Sequence, residues 1–228
     1  MKTLKLTLLA AAATLAMGSA AAAQESPVSF NVGVASDYVF RGVSQTNEDP
    51  QVFGGVDFTI GEIGYAGIWA SNVDFGDDTA AEVDFYAGIT PTLGVASMDF
   101  GVVYYAYVDA PTAADFDFWE FSASGTIPAG PAEVGAALYY SPDFFGGTGD
   151  AFYYEVNAAA PLTERLSVSG AVGRQEVDTG IDYTTWNLGV GFAINDTLGL
   201  DLRYHDTDED GLGTLGEGRV AASLTAAF

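Results

Sequence analysis

The chain contains no cysteine and a single histidine. An exported fold of this length without cysteine has no disulfide to rely on, so a large core or a closed sheet must hold it together. Positive charge is equally scarce. Seven Lys and Arg stand against 31 Asp and Glu, for a formal net charge of −24. A field of that sign repels phosphate backbones and anionic substrates and attracts cations, which excludes nucleic acid as a partner. Long apolar runs are missing as well. Beyond the first two dozen residues, no stretch approaches the ~18 apolar residues of a membrane-crossing helix.

The opening segment reads as a secretory signal. Lys2 and Lys5 give a basic start, and residues 6–17 form an apolar run too short to span a bilayer. Ala21-Ala22-Ala23 then supplies small residues for cleavage before Gln24. Both lysines lie in this segment, leaving Arg41, Arg165, Arg174, Arg203 and Arg219 as the only strong cations of the mature chain. The expected organisation is a signal peptide over 1–23 and one all-β domain over 24–228.

What the mature chain does have is alternation. A strand has a side-chain period of two, and about twelve segments in succession follow it. They cover 28–40, 51–60, 64–75, 80–89, 95–108, 117–127, 132–140, 151–160, 166–175, 183–194, 198–205 and 217–228. In the first, Phe30, Val32, Val34, Tyr38 and Phe40 share the face expected outward; in the third, Tyr65, Trp69, Val73 and Phe75 do, opposite Asn72 and Asp74. Each is about ten residues long, enough for a tilted strand to cross a bilayer.

The connections alternate in kind. Tight turns rich in Pro, Gly, Asn and Thr fall at 61–64, 90–94, 128–131, 161–165 and 195–196. Longer, acidic loops fall between them at 42–50, 76–79, 109–116, 141–150, 176–182 and 206–216. Short turns at one rim and long loops at the other predict an up-and-down antiparallel β-barrel, with the short turns periplasmic. A soluble β-sandwich is the competing all-β fold, but its strands are usually shorter and less regular. Aromatic residues near predicted strand ends, Trp119, Trp186, Tyr204 and Phe228 among them, match interfacial girdles.

Three segments carry a family resemblance. Ser36-Asp37-Tyr38-Val39-Phe40-Arg41-Gly42-Val43-Ser44-Gln45-Thr46, Gly67-Ile68-Trp69-Ala70-Ser71-Asn72-Val73-Asp74-Phe75 and Glu82-Val83-Asp84-Phe85-Tyr86-Ala87-Gly88 resemble the TorF family of porin-like proteins, also called the Gcw_chp family of proteobacteria. The resemblance runs from about 28 to 228 and implies an outer-membrane barrel. Terminal Phe228 resembles the assembly signal that such proteins present to the barrel-insertion machinery. The family supplies no catalytic residue to carry over.

Three constellations carry chemistry. Positions expected to face the lumen include Asp57, Asn72, Glu82, Asp84, Glu120, Glu133, Glu155, Asp201, Arg203, His205 and Arg219. Rings of one charge sign set ion preference in a hydrated pore, so this lining reads as a cation-preferring channel. The alternative is a closed interior that these side chains fill, because twelve strands lie between the packed eight-stranded case and open sixteen-stranded porins. Next, Asp206, Asp208, Asp210 and Glu217 have the spacing of a calcium loop, although strands flank it and a solvated acidic tip has the same composition. Last, His205 shares a face with Asp201 and Arg203, but no nucleophile accompanies them and no catalytic residue is expected.

The sequence thus predicts an exported, non-enzymatic outer-membrane barrel passing small hydrophilic solutes or cations. Its partners are membrane lipid and the assembly machinery, and it needs no cofactor beyond Ca2+ in an extracellular loop. A non-conducting barrel with a structural or surface divalent-cation-binding role is the alternative.

Overall fold

The computed structural model describes residues 27–228; the signal segment expected over 1–23 lies outside the described residues. Twelve long strands form the wall: β1 (Val28–Ala35), β2 (Gln51–Ile60), β3 (Gly64–Asn72), β4 (Ala81–Ile89), β5 (Ala96–Val108) and β6 (Phe118–Ala129), followed by β7 (Ala132–Ser141), β8 (Ala151–Pro161), β9 (Leu166–Val177), β10 (Tyr183–Ala193), β11 (Leu198–Thr207) and β12 (Arg219–Ala227). Each pairs antiparallel with its sequence neighbours. The ring closes where β1 meets β12, with Asn31 opposite Ala227 and Ala35 opposite Ser223. Phe30 and Phe228 exchange backbone hydrogen bonds of 3.1 and 2.9 Å across this seam. Closure removes the free edges that an open sheet would present to other chains.

The period-two pattern sorts the side chains. Val32, Val52, Val156, Val172 and Leu188 point out and are at least half exposed. Glu82, Asp84, Glu120, Glu155, Gln175, Arg203 and His205 point in and are buried. This inverts a water-soluble protein, in which so large an apolar surface would not stand free. The interior itself is asymmetric. Phe53, Trp69, Tyr86, Val103, Tyr105 and Phe118 pack together along β2 to β6. Beyond the long loops' roots, Phe75, Tyr107, Phe116 and Phe145 tie three of those loops together, the Phe116 and Phe145 rings stacking at 4.2 Å.

Two expectations are corrected. The first strand stops at Ala35 rather than 40, because residues 36–46 leave the wall and turn into the barrel. Tyr38 and Val39, on opposite faces of the expected strand, are both buried there. The faces of β3 are also the reverse of those expected. Ile68 is its exposed residue, whereas Trp69 and the following Val73 lie inside. Both faces of this strand carry apolar side chains, so alternation alone does not orient it; the wide interior takes the large rings. Asn72 consequently lies on the outer face rather than in the lumen. It accepts the Val52 N–H at 2.7 Å and donates to the Pro50 carbonyl at 3.1 Å.

An outward arginine tests what surrounds the wall. Leu188→Arg, near the middle of β10, should lower unfolding stability in lipid by about 2–4 kcal/mol, read by denaturant titration. A wall facing water would register no more than about 0.5 kcal/mol for the same change.

Candidate functional site

The site begins where β1 ends. Ser36 donates its N–H to the Ala222 carbonyl at 2.9 Å, and its hydroxyl accepts the Ala222 N–H at 3.0 Å. These bonds finish the strand against β12. The chain then folds back on itself. The Asp37 carboxylate accepts the Ser44 and Thr46 hydroxyls at 2.6 and 3.0 Å, and the Tyr38 N–H donates to Thr46 Oγ1 at 3.1 Å. Between them Val39–Phe40 pairs with Val43–Ser44 in a small hairpin. Its two central residues, Arg41 and Gly42, have φ of 47° and 87°. Positive φ at both positions is the sign pattern of a type I′ turn, which suits glycine and costs arginine energy. Gly42 is also held close to the Thr185 and Thr207 side chains, leaving no room for a Cβ.

Arg41 repays that strain through its contacts. The guanidinium is 1% exposed, with Nη2 at 2.7 Å from Glu120 Oε1 and Nη1 at 3.0 Å from Gln175 Oε1. It lies 4.3 and 4.9 Å from the ring centres of Tyr153 and Tyr139. Such cation–π contacts strengthen when water is excluded. The Tyr153 ring occupies the space above Gly173, where a Cβ would displace it. Burial opposes the charge on Arg41, but Glu120, with Tyr105 and Tyr153, holds the guanidinium pKa above its ordinary value. Tyr38 makes the second anchor. Its hydroxyl donates to Glu82 at 2.7 Å and its ring meets Trp69 edge-on at 5.5 Å. Arg219 makes the third, 3.0 Å from Asp37 and 3.6 Å from Glu48. The hairpin therefore occupies the interior on the long-loop side, fastened to β3, β4, β6, β9 and β12.

The residues expected to line the lumen fall into two groups around this hairpin. Glu82, Asp84, Glu120, Glu155, His205 and Arg219 surround or approach it. Glu155 accepts the Tyr153 hydroxyl at 2.8 Å and the Asn157 amide at 3.1 Å. Asp84 is fully buried, and its carboxylate has no hydrogen-bond partner. Asp57, Asp201, Arg203 and Glu133 lie deeper, toward the short turns. Asp57 accepts the Tyr86 hydroxyl at 2.5 Å, and Glu133 is exposed. Arg203 holds Asp201 through two bonds of 3.1 Å and donates to Asn187 and Ser169 at 2.6 and 2.8 Å. Asp201 is thereby engaged by arginine rather than by His205.

The fold gives the carboxylates of the calcium-loop spacing separate partners. Asp206 accepts the Tyr204 hydroxyl and the Thr207 N–H, each at 3.0 Å. Asp208 accepts the Thr184 N–H at 2.6 Å, which holds its carboxyl below the usual carboxylate range. Asp210 opens a 3₁₀ segment, Asp210–Gly216, and Glu217 follows it in extended conformation. Among the described residues, no three acidic or histidine side chains converge to hold a metal ion.

Sequence reading passed over Arg41, Gln175 and Tyr38. The usable signal was Arg41-Gly42 between the extended pairs Val39-Phe40 and Val43-Ser44, a two-residue turn ending in glycine. The assembled site sets the buried Arg41 guanidinium among several carboxylates inside the barrel.

The barrel is similar to solved porins in fold. The KdgM porin superposes with a TM-score of 0.62 at 8% identity, covering 88% of this chain and 99% of that one. The NanC porin gives 0.59 at 8% identity, covering 88% and 98%. A second structure of KdgM, in complex with disordered oligogalacturonate, gives 0.61 at 7% identity over 88% and 98%. No curated protein sequence matches the chain. Residues 19–227 match the family described as bacterial protein of unknown function (Gcw_chp), and the chain belongs to that family.

Proposed function

We propose that the protein is an outer-membrane channel for small hydrophilic solutes, with the hairpin of residues 36–46 as its constriction. The observation that carries this reading is a charged hairpin tip seated inside a closed, externally apolar barrel. Away from the hairpin, the inner face is small and polar: Ser122, Ser124, Thr126, Ser167, Ser169 and Thr225 are all partly exposed there. Such a lining leaves room for water, whereas a purely structural barrel of this width has no need of it. The likeness to KdgM supports the solute class, since that porin is known with oligogalacturonate. The apolar wall, the aromatic side chains near strand ends and the resemblance to the TorF porins support placement in the outer membrane. Phe228, paired to Phe30 at the seam, is read as the assembly signal for the insertion machinery.

The finer reading is a preference for cations. Arg41, Arg203 and Arg219 offset Glu120, Asp201 and Asp37. Asp57, Glu82, Asp84, Glu133 and Glu155 remain as an acidic excess, which favours cations in a hydrated pore. An enzymatic role is disfavoured because Asp201, the carboxylate sharing a strand face with His205, is held by Arg203. The likeness to porins favours the channel over the non-conducting, cation-binding alternative.

Planar-bilayer recording of the purified protein should show channels. Arg41→Ser should raise single-channel conductance by loosening the constriction; conductance equal to the parent's would remove the hairpin from the permeation path. Reversal potentials under a salt gradient should show cation preference, and anion preference would overturn it. Calcium in the millimolar range should leave the melting temperature of the parent and of Asp208→Ala equally unmoved. A calcium-dependent rise in the parent alone would restore a site at that loop.

A further inference from the structure

The connection between β1 and β2 is far longer than the wall requires. Ala35 and Gln51 are paired across the two strands, and a two-residue turn can join such a pair. Residues 36–50 stand there instead, folded inward. Their own hydrogen bonds hold them as one body. Gln45 donates its N–H to the Tyr38 carbonyl at 2.7 Å, Asp49 its N–H to the Thr46 carbonyl at 2.9 Å, and Glu48 its N–H to Ser44 Oγ at 2.9 Å. Side chains fasten that body to the wall, at Glu82, Glu120, Gln175 and Arg219.

The inner wall around the hairpin is sealed. From each of β2 to β11, one inward side chain at this level is no more than 5% exposed, among them Ser71, Asp84, Tyr105, Ser141, Gln175 and Thr185. Cross-strand pairing sets these positions in a ring. Ser71 lies opposite Glu82, Asp84 opposite Tyr105, Tyr153 opposite Gln175, and His205 opposite Arg219. The hairpin's own Arg41, Ser44 and Thr46 are buried to the same degree. Its contacts reach right across the barrel, from Arg219 on β12 to Glu120 on β6, with Gly42 against Thr185 and Thr207 on β10 and β11. Water running past the hairpin would leave some arc of this ring exposed, and every arc is covered. Toward the short turns the inner face opens again, with Ser122, Ser124, Ser167 and Ser169 partly exposed.

We propose that residues 36–50 are a plug that shuts the barrel at this level, and that passage requires the plug to leave its seat as one body. Unseating breaks the ion pairs to Glu120 and Arg219 and the bond from Tyr38 to Glu82, while the plug's internal bonds travel with it. The vacated ring keeps Glu82, Glu120, Gln175 and Thr185 on its different sides, and these hydrate readily. The plug's use as a gate rests on the channel reading; the seal itself does not.

The test uses the full-length processed protein in detergent micelles, where both ends of the barrel meet water. The chain has no cysteine, so each of Ser71→Cys, Ser141→Cys and Thr185→Cys places one thiol on a different side of the ring. Ser124→Cys places one in the open half. A small cationic methanethiosulfonate should label the three ring thiols at least about tenfold more slowly than Ser124→Cys, because each must wait for the hairpin to unseat. Replacing residues 36–50 by an Asn-Gly turn should bring the three ring rates up to that of Ser124→Cys. Should that variant fail to assemble, Arg41→Ser, which frees only the tip, should speed all three. A ring thiol that reacts as fast as Ser124→Cys in the parent would overturn the plug, and so would slow ring thiols that neither variant speeds. Bilayer recordings separate the two readings. The parent should be mostly shut with brief openings, and the turn variant steadily open. Ring thiols that only the variants release, without conductance from any of these proteins, support the plug and sink the channel. Steady parent channels with fast ring thiols sink the plug alone.

Discussion

A buried guanidinium paired with a buried carboxylate decides what the interior of this barrel is. Arg41 and Glu120 meet at 2.7 Å with 1% and 3% of their side chains exposed. Taking two charges out of water costs several kcal/mol per ion, and only good geometry with further partners returns it. Here the partners are Gln175, the Tyr105 hydroxyl at 3.3 Å from Glu120, and the flanking aromatic rings. Tyr38 and Arg219 fasten the base of the same hairpin. With the tip unpaired, a positively charged residue at positive φ would stand in a space lined by rings. The placement of the hairpin's tip inside the wall depends on this pair.

The wall makes that pairing possible because it is a closed sheet turned inside out. Its ladder satisfies the backbone, so side chains alone decide what lies on each face. Apolar residues go outward at nearly every second position, and the interior is left to polar groups, tyrosine and the one apolar cluster along β2 to β6. Tyrosine serves the interior well, with a ring to pack and a hydroxyl to give to a carboxylate. Tyr38 with Glu82, Tyr65 with Asp99, Tyr86 with Asp57 and Tyr153 with Glu155 repeat that arrangement. It lets an acidic chain bury carboxylates with few cations to spend on them.

How much of this was legible in the sequence follows from the same physics. The span of β2, Gln51–Ile60, and the alternation of long loops with tight turns were readable because each strand buries one face and the turns need Gly, Pro or Asn. The lumen placement of Glu82, Asp84, Glu120, Glu155 and Arg203 followed from parity along their strands. Parity failed at β3, where Trp69 and Ile68 are both apolar and only the width of the interior decides between them; Asn72 went to the wrong face with it. It failed again after Ala35, because Tyr38 and Phe40 continue a strand pattern that the chain leaves. Spacing likewise does not show how the 206–217 loop folds: Asp206 accepts two bonds, from a hydroxyl and an N–H, and Asp208 accepts one N–H. The Arg41–Glu120 pair spans 79 residues of sequence, and no local pattern encodes it.

The claim on which the rest depends is that Arg41 and Glu120 meet inside the barrel. A double-mutant cycle of Arg41→Gln and Glu120→Gln, read as unfolding free energy in lipid, measures that contact without reference to transport. Each single change should cost about 3–5 kcal/mol by leaving its partner buried and unpaired. The double variant should cost clearly less than the two together. Additivity within about 0.5 kcal/mol would mean that the two side chains do not interact, and the hairpin would have to be placed elsewhere.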